Sequence, residues 1–497
     1  MTVKVKQGGV YVDASAVYVK TAGAYAVGSL FAKSAGVYVA GSNSAIVASG
    51  ASRVRPNTLA NTSGANFVRT TRLAEKAPVP VTDPWAEYWN GWVDVSSYTA
   101  AQEKGVGNTV PIAGAFLTGI SGTGQNQSGA TLTPLTWVNA AAGVAGYAYK
   151  LDGTPGSASE FTAAGGAISG DNFTITVPDG WYVRSDSCTG LTLSGTYYVQ
   201  WEEGAATSSK YPAGGFAGGR TSLGDLNKDA TSRSGVFLKD WTGLTGVGVG
   251  SAFTGPNNIF GWSATGKKTV AVAGDSIAND NFDRDGSAQY GDADGVTCFI
   301  GRALNASGYP FVRTAVSSTR AATPYTYNDF KIRSLMMRYC SAVITEMGHN
   351  DRGNTWTNLQ TYVRDHWSKC RAAGVGGAAR IIATTFCPQS NSTDNWATKA
   401  NQTLLMGPGT SGYDSYNPFI RAGSFNVGLG DCDAGYDLYN AIYSGAAAAG
   451  ATDTTDAYWP TNGAAKAFNN DSTHPTTLVH YYVATDLALR LPTLLGF

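Results

Sequence analysis

At 497 residues the chain exceeds one ordinary domain, so about two to four domains are expected. Its 35 basic and 35 acidic residues balance and only 14% of residues are charged, which leaves no basic field for nucleic acid and no acidic tail. With 62 glycines, 26 tyrosines and 12 tryptophans, the composition fits β-rich extracellular or virion surface proteins better than cytosolic helical enzymes.

The opening MTVKVKQGG lacks the apolar core of a signal peptide, and no run reaches the roughly 18 apolar residues of a membrane helix, so no membrane insertion is expected. A protein acting outside the cell that made it would then leave by a route other than general secretion, and release inside a virus particle is one such route. Residues 1–40 carry a repeat. KTAGAY (20–25) returns as KSAGVY (33–38), with GVYV (9–12), AVYV (16–19) and GVYV (36–39) around it. Tyr11, Tyr18, Tyr25, Phe31 and Tyr38 are separated by Gly or Ala-Gly, so each unit reads as a short strand and a tight turn. One hairpin cannot bury enough surface alone, so the series needs stacking, a partner chain or a larger body. An ordinary meander is one reading. The other is an attachment module, because the units resemble the Tyr/Gly/Lys repeats of bacteriophage tail-fibre proteins. That resemblance implies a virion location, docking to other tail or baseplate proteins through the N-terminus, and a homo-oligomer such as a trimer.

Residues 41–84 turn to Ser, Asn, Ala and Arg without clear periodicity and read as a linker or extended segment. Residues 85–260 read as all-β. TLTPLTW (131–137), NFTITV (172–177), GWYVRS (180–185) and TYYVQWEE (196–203) are strand-like, with turns such as Asp152-Gly153 and Asp179-Gly180 between them. A β-sandwich is the natural closed solution for this pattern. Its aromatics read first as core, and as sugar-stacking platforms only second.

After Trp262 the rhythm changes, and residues 261–497 form the last domain. KTVAVAG (268–274) leads to a helix near 294–306, FVRTAV (311–316) to one near 327–338, and SAVITEMG (341–348) to one over 355–373. Leu359, Tyr362, Val363, Trp367 and Cys370 give that third helix an apolar face. RIIATTF (380–386) follows, then a long irregular stretch to about 460 and a last helix over 476–494. Strands alternating with helices argue for a parallel sheet covered on both faces, with reactive groups beyond the C-terminal strand ends. The six cysteines are scattered without a CxxC pair, so they read as buried thiols with room for one or two bridges.

Three short motifs fall at such strand ends or just before the last helix: Gly274-Asp275-Ser276, Gly348-His349-Asn350-Asp351, and Asp471-Ser472-Thr473-His474. Each alone is an ordinary turn, polar loop or helix N-cap. Together they supply what acyl transfer needs. Serine requires a base, histidine is the side chain suited to that near neutral pH, and a carboxylate must orient its ring. Of His349, His366, His474 and His480, only His474 has an acid so placed, Asp471 three residues earlier. The Ser276 N–H and the Asn350 amide are candidate donors to the oxyanion. No G-x-S-x-G occurs, which removes the α/β-hydrolase elbow as competitor.

At these residues the last 230 or so positions resemble the SGNH hydrolases, the GDSL esterase/lipase superfamily. The resemblance implies a flavodoxin-like α/β/α fold, so the whole reads as N-terminal β-hairpin repeats, a central sandwich-like domain and a C-terminal SGNH hydrolase domain. It implies Ser276 as nucleophile, His474 as base and Asp471 as its partner, with Gly274, Asp275, Gly348, His349 and Asp351 supporting. Ser276 N–H, a second-block N–H and Asn350 would form the oxyanion hole, with no cofactor or metal. The second block here, FVRTAVSSTRAAT (311–323), lacks the usual glycine, and Ser318, with Ser317 close behind, is the candidate in its place. GHND is similar to carbohydrate acetylesterases of this superfamily. With the fibre-like N-terminus this gives a phage tail spike that removes O-acetyl groups from host surface polysaccharide. The rivals are a non-catalytic glycan-binding virion protein and a secreted bacterial esterase or lipase. The loop 281–295 concentrates Asp283, Asp285, Asp292 and Asp294, but its spacing does not match a calcium-binding loop, and a solvated loop beside the cleft is the better reading.

Overall fold

The computed structural model describes residues 3–7, 10–14, 18–21, 24–27, 31–34, 37–40, 45–48, 59–62, 67–119, 131–215, 226–230, 252–279, 281, 283, 296–405, 411–454 and 457–497. The N-terminal repeat forms three successive antiparallel hairpins. Val3–Gln7 pairs with Val10–Ala14, Tyr18–Thr21 with Ala24–Val27, and Phe31–Ser34 with Val37–Ala40.

The β-rich domain is organised by one long strand, β1 (Phe67–Trp89), which runs straight through the boundary expected at 84/85. Val110–Thr118 (β2) and Thr192–Ala205 (β3) extend the sheet from it, and Asn258–Ser263 (β4) pairs with its second half, across the expected 260/261 boundary. The composition hid β1 because Pro78 and Pro80 interrupt it. They are tolerated since β3 pairs with Ala77 and again with Val81 and skips the residues between. Among the described residues eleven strands join in one hydrogen-bonded sheet, accompanied by a three-stranded sheet of Leu59–Thr62, Lys210–Gly215 and Ala252–Phe253 and by the pair Gly91–Val93 and Glu103–Gly105. The region is not all-β. Short helices span Val138–Ala141 and Ala158–Ala163, the second begun by a reciprocal capping box between Ser157 and Glu160.

The C-terminal domain has a five-stranded parallel sheet. Its strands are β5 (Thr269–Ala273), β6 (Phe311–Arg313), β7 (Cys340–Thr345), β8 (Arg380–Thr384) and β9 (Ala434–Tyr436), in spatial order β6-β5-β7-β8-β9. This is the 2-1-3-4-5 order of doubly wound α/β sheets. Alternate residues face opposite sides. Val270, Val272, Ala342, Ile344 and Ile382 pack under α1 (Phe299–Ala306), α5 (Leu438–Ala448) and α6 (Thr477–Leu495). Ala271, Ala273, Val343, Ile381 and Ala383 pack under α3 (Trp356–Ala373) and α4 (Ser411–Ala422).

Several expectations are corrected here. The stretch read as irregular holds α4, β9 and α5. It escaped because α4 contains Gly412 and Pro418, β9 is only Ala-Gly-Tyr, and α5 is too rich in Ala and Gly to show a polar face. The helix expected over 327–338 is two short helices, Ala322–Tyr327 and α2 (Lys331–Met336), separated by left-handed Asn328 and Phe330. The first helix starts at Phe299 rather than near 294. All six cysteines are buried free thiols, so no bridge forms. Among the described residues no helix is long and apolar enough to cross a membrane.

The two domains share a buried interface. Trp85, Phe260 and Ala48 join the core beneath Ala271, Val312 and Met337, while Trp89, Val93 and Tyr182 pack with Val316, Ile332 and Met336. Glu103 accepts from Arg333 Nε at 2.9 Å and from the Ile332 and Arg333 N–H groups, and Glu87 accepts from Arg338 at 2.5 and 3.1 Å.

Candidate active site

The sheet order reverses between β5 and β7, and the loops leaving these strands open a crevice at the C-terminal edge. The β5 loop carries Ser276. Gly274 has φ +150°, and a Cβ there would lie 2.5 Å from Glu346 Oε1, so only glycine lets the chain turn this tightly. The β7 loop carries Asn350, after Gly348 at φ +117°. The turn holding His474 arrives from the far end of the chain, immediately before α6. It is tied down by Gln389 Nε2 to Thr473 Oγ1 at 2.6 Å and Trp459 Nε1 to Ser472 O at 3.1 Å.

These three segments meet. His474 Nε2 lies 2.7 Å from Ser276 Oγ, and Nδ1 lies 2.8 and 2.9 Å from the two oxygens of Asp471. Burial works against the Asp471 carboxylate, but its bond to His474, the charge of that ring and the Thr473 and His474 N–H groups outweigh it and hold the carboxyl below its ordinary range. Asp471 is thus a charged acceptor that fixes the ring with Nε2 facing the serine.

The other three histidines are placed where they cannot serve as base. His349 is buried against Phe386, and burial, Arg352 and His474 push its ring well below the ordinary range. His366 is buried beside Thr345 and Cys370 and pushed down to about 3 by burial, Arg333 and Lys369. His480 Nδ1 accepts from the Phe299 N–H inside the core.

Sequence reasoning missed Glu346. It is buried beneath the nucleophile loop, where Oε1 accepts from Asp275 N–H at 2.6 Å and Ala278 N–H at 3.1 Å. Burial raises both carboxyls, and Glu346 is raised further by the charge of Asp275 and a hydrogen bond between them. Of the two, Glu346 is raised the more strongly. Asp275 in turn accepts from Ile277 N–H at 3.2 Å and from Asn350 Nδ2 at 3.0 Å. The signal was present: a glutamate at the end of an apolar strand run, SAVITEM, is a buried acid in need of a purpose.

Asn350 also donates to Thr319 O at 2.9 Å, so both of its N–H bonds are engaged within the protein. Donation into the cleft from Asn350 requires sharing one of them. Two backbone donors are free: among the described residues neither Ser276 N–H nor Ser318 N–H has a hydrogen-bond partner. The loop bearing Ser318 is laced to the nucleophile loop through Gly274 O, which accepts from Val316 N–H at 3.1 Å and Thr319 Oγ1 at 3.3 Å. Ser318 has φ +65°, the left-handed region where a missing glycine would be at ease and a serine costs about 1–2 kcal/mol. The Ser317 hydroxyl is held between Asn279 and Asn281. Asp351 accepts from the Ala321 and Ala322 N–H groups and, with burial pushing its carboxyl up to about 6, braces the loop following Ser318.

Among the described residues no cluster of His, Cys, Asp or Glu could hold a metal ion. Asp283, read with the acidic loop, is an ion-pair partner of Arg302 at 2.7 Å, while Asp285, Asp292 and Asp294 lie outside the described residues.

Comparison with known proteins gives only loose likeness. No family model matches, and no curated protein does. Among solved structures, an active-site mutant of a family two carbohydrate esterase from Clostridium thermocellum is 11% identical, covering 91% of this chain and 99% of that one, with TM-score 0.32. A family two carbohydrate esterase from Corynascus thermopiles is 12% identical over 91% and 100%, with TM-score 0.30. A carbohydrate acetylesterase from Sinorhizobium meliloti is 13% identical over 46% and 100%, with TM-score 0.27. Likeness at this level leaves the chemistry to the residues themselves.

Proposed function

We propose that this chain is a serine esterase of the SGNH type that removes O-acetyl groups from a polysaccharide. The carrying observation is the continuous chain of contacts Ser276 Oγ, His474 Nε2, His474 Nδ1 and Asp471, at 2.7 and 2.8 Å. His474 takes the serine proton as Oγ attacks the ester carbonyl, and Asp471 stabilises the imidazolium that forms. The oxyanion receives the Ser276 and Ser318 N–H groups, with a shared N–H of Asn350 as third donor. His474 then protonates the leaving sugar oxygen, giving an acetyl-enzyme. Water, deprotonated by the same ring, releases acetate and restores Ser276. Nothing in these steps calls for a cofactor.

The setting we propose is a bacteriophage tail spike or fibre acting on host surface polysaccharide, assembled as an oligomer and docked to the virion through residues 1–40. The three successive hairpins support an attachment module, and the low charge fits a neutral glycan. The test is acetate release from O-acetylated bacterial polysaccharide and from p-nitrophenyl acetate by the full chain and by Ser276→Ala. Release by the full chain that the variant abolishes supports the reading. Glycan binding without release by either protein would make the domain an adhesin and overturn it.

A further inference from the structure

The β-rich domain contacts the loop bearing Ser318. Its segment 94–102 leaves the sheet, closes at its base through Asp94 N–H to Gln102 O at 2.7 Å, and is fastened to the α/β domain by Gln102 N–H to Asp329 at 2.7 Å. At its tip the Tyr98 hydroxyl donates to Ser318 O at 2.8 Å, and the Arg320 guanidinium lies 4.0 Å over the Tyr98 ring. Ser318 is exposed, so burial does not hold it, and among the described residues the Tyr98 bond is its one polar contact. Yet its backbone occupies the left-handed region that serine disfavours.

We propose that Tyr98 is a positioning residue for the oxyanion loop: its bond to Ser318 O, braced by Arg320, holds Ser318 left-handed with its N–H free, a task glycine would perform by its own conformational freedom. The next carbonyl, Thr319 O, is already fixed by Asn350, so two successive peptides, Ser318–Thr319 and Thr319–Arg320, are held, one by each domain. The clamp rests on the reading of Ser318 as an oxyanion donor. Because that donation is made chiefly in the transition state, loosening it lowers kcat and leaves KM nearly alone.

The experiment is a double-mutant cycle in the full chain, with p-nitrophenyl acetate as probe. Tyr98→Phe removes only the hydroxyl and keeps the ring beneath Arg320. It is expected to lower kcat about tenfold with KM within about twofold, part of what losing one oxyanion donor costs. Made on top of Ser318→Gly, the same Tyr98→Phe change is expected to cost less than about twofold, since glycine holds the left-handed backbone unaided. If Tyr98→Phe leaves kcat unchanged, or costs the same with and without Ser318→Gly, the clamp is overturned while the esterase reading stands. If the unmodified chain hydrolyses nothing, or Ser276→Ala matches it, the esterase reading itself fails.

Discussion

The two folded domains bury carboxyl groups equally deeply and use them in opposite directions. In the β-rich domain Glu87 and Glu103 face across the interface and take Arg338 and Arg333 of the neighbouring domain. In the α/β domain Asp275, Glu346 and Asp351 turn inward and take backbone N–H groups of the site's own loops. One set fixes where a domain sits, the other where individual loop atoms sit. Glu203 belongs to neither. It is buried in the β-rich core, and burial pushes its carboxyl up to about 8 against the pull of the Tyr88 hydroxyl and Arg69.

This contrast predicts that disturbing acids of the first kind shows in stability and disturbing the second shows in turnover. The reference for turnover is Ser276→Ala, expected to lower kcat by roughly 10⁴-fold or more while the unfolding midpoint stays put. Glu103→Ala leaves the buried Arg333 with only the more distant Asp329, at 3.9 Å, and is expected to cost about 3 kcal/mol in urea unfolding, because a buried charge loses its close partner. Were the cost under ~1 kcal/mol, the interface would not depend on this pair. Glu203 has its effect through pH. Its raised value means its contribution is complete below about pH 4.5 and is lost as pH rises through about 8. Stability measured at pH 5 and pH 9 should therefore fall by up to about 4 kcal/mol in the native chain and stay flatter in Glu203→Gln. The smallest effect is the sharpest. Replacing Glu346 by glutamine keeps an acceptor for the Asp275 and Ala278 N–H groups and removes any carboxyl charge. Glu346→Gln should lose less than about tenfold in kcat, and Glu346→Ala considerably more. Equal losses would mean that the side chain acts as a charge.

The triad was legible because each of its members sits in a short motif whose chemistry is local: a serine after a glycine at a strand end, and an acid three residues before a histidine. The parallel strands β5, β7 and β8 were legible as continuous apolar runs, and α3 by its spacing. What could not be read depends on contacts distant in sequence. Glu346 gains its meaning from the backbone of Asp275 and Ala278, some 70 positions away. Ser318 was chosen by position alone, and only its φ of +65° shows it standing where a glycine would. That Tyr98 lies against it follows from how two domains dock, which no local pattern encodes. The short β9 was invisible for another reason: as the fifth strand it needs only three residues, because β8 supplies its ladder.

The interface also bears on how such proteins can be recombined. A chain cut at residue 261 would leave Arg333 and Arg338 without Glu103 and Glu87, and would uncover Ile332, Met336 and Met337 where Trp89, Val93 and Trp85 had covered them. The α/β half is thus no interchangeable cassette. Any shuffling between relatives would have to carry both domains across together, with the crossover upstream of Ala45, whose strand brings Ala48 into the same core.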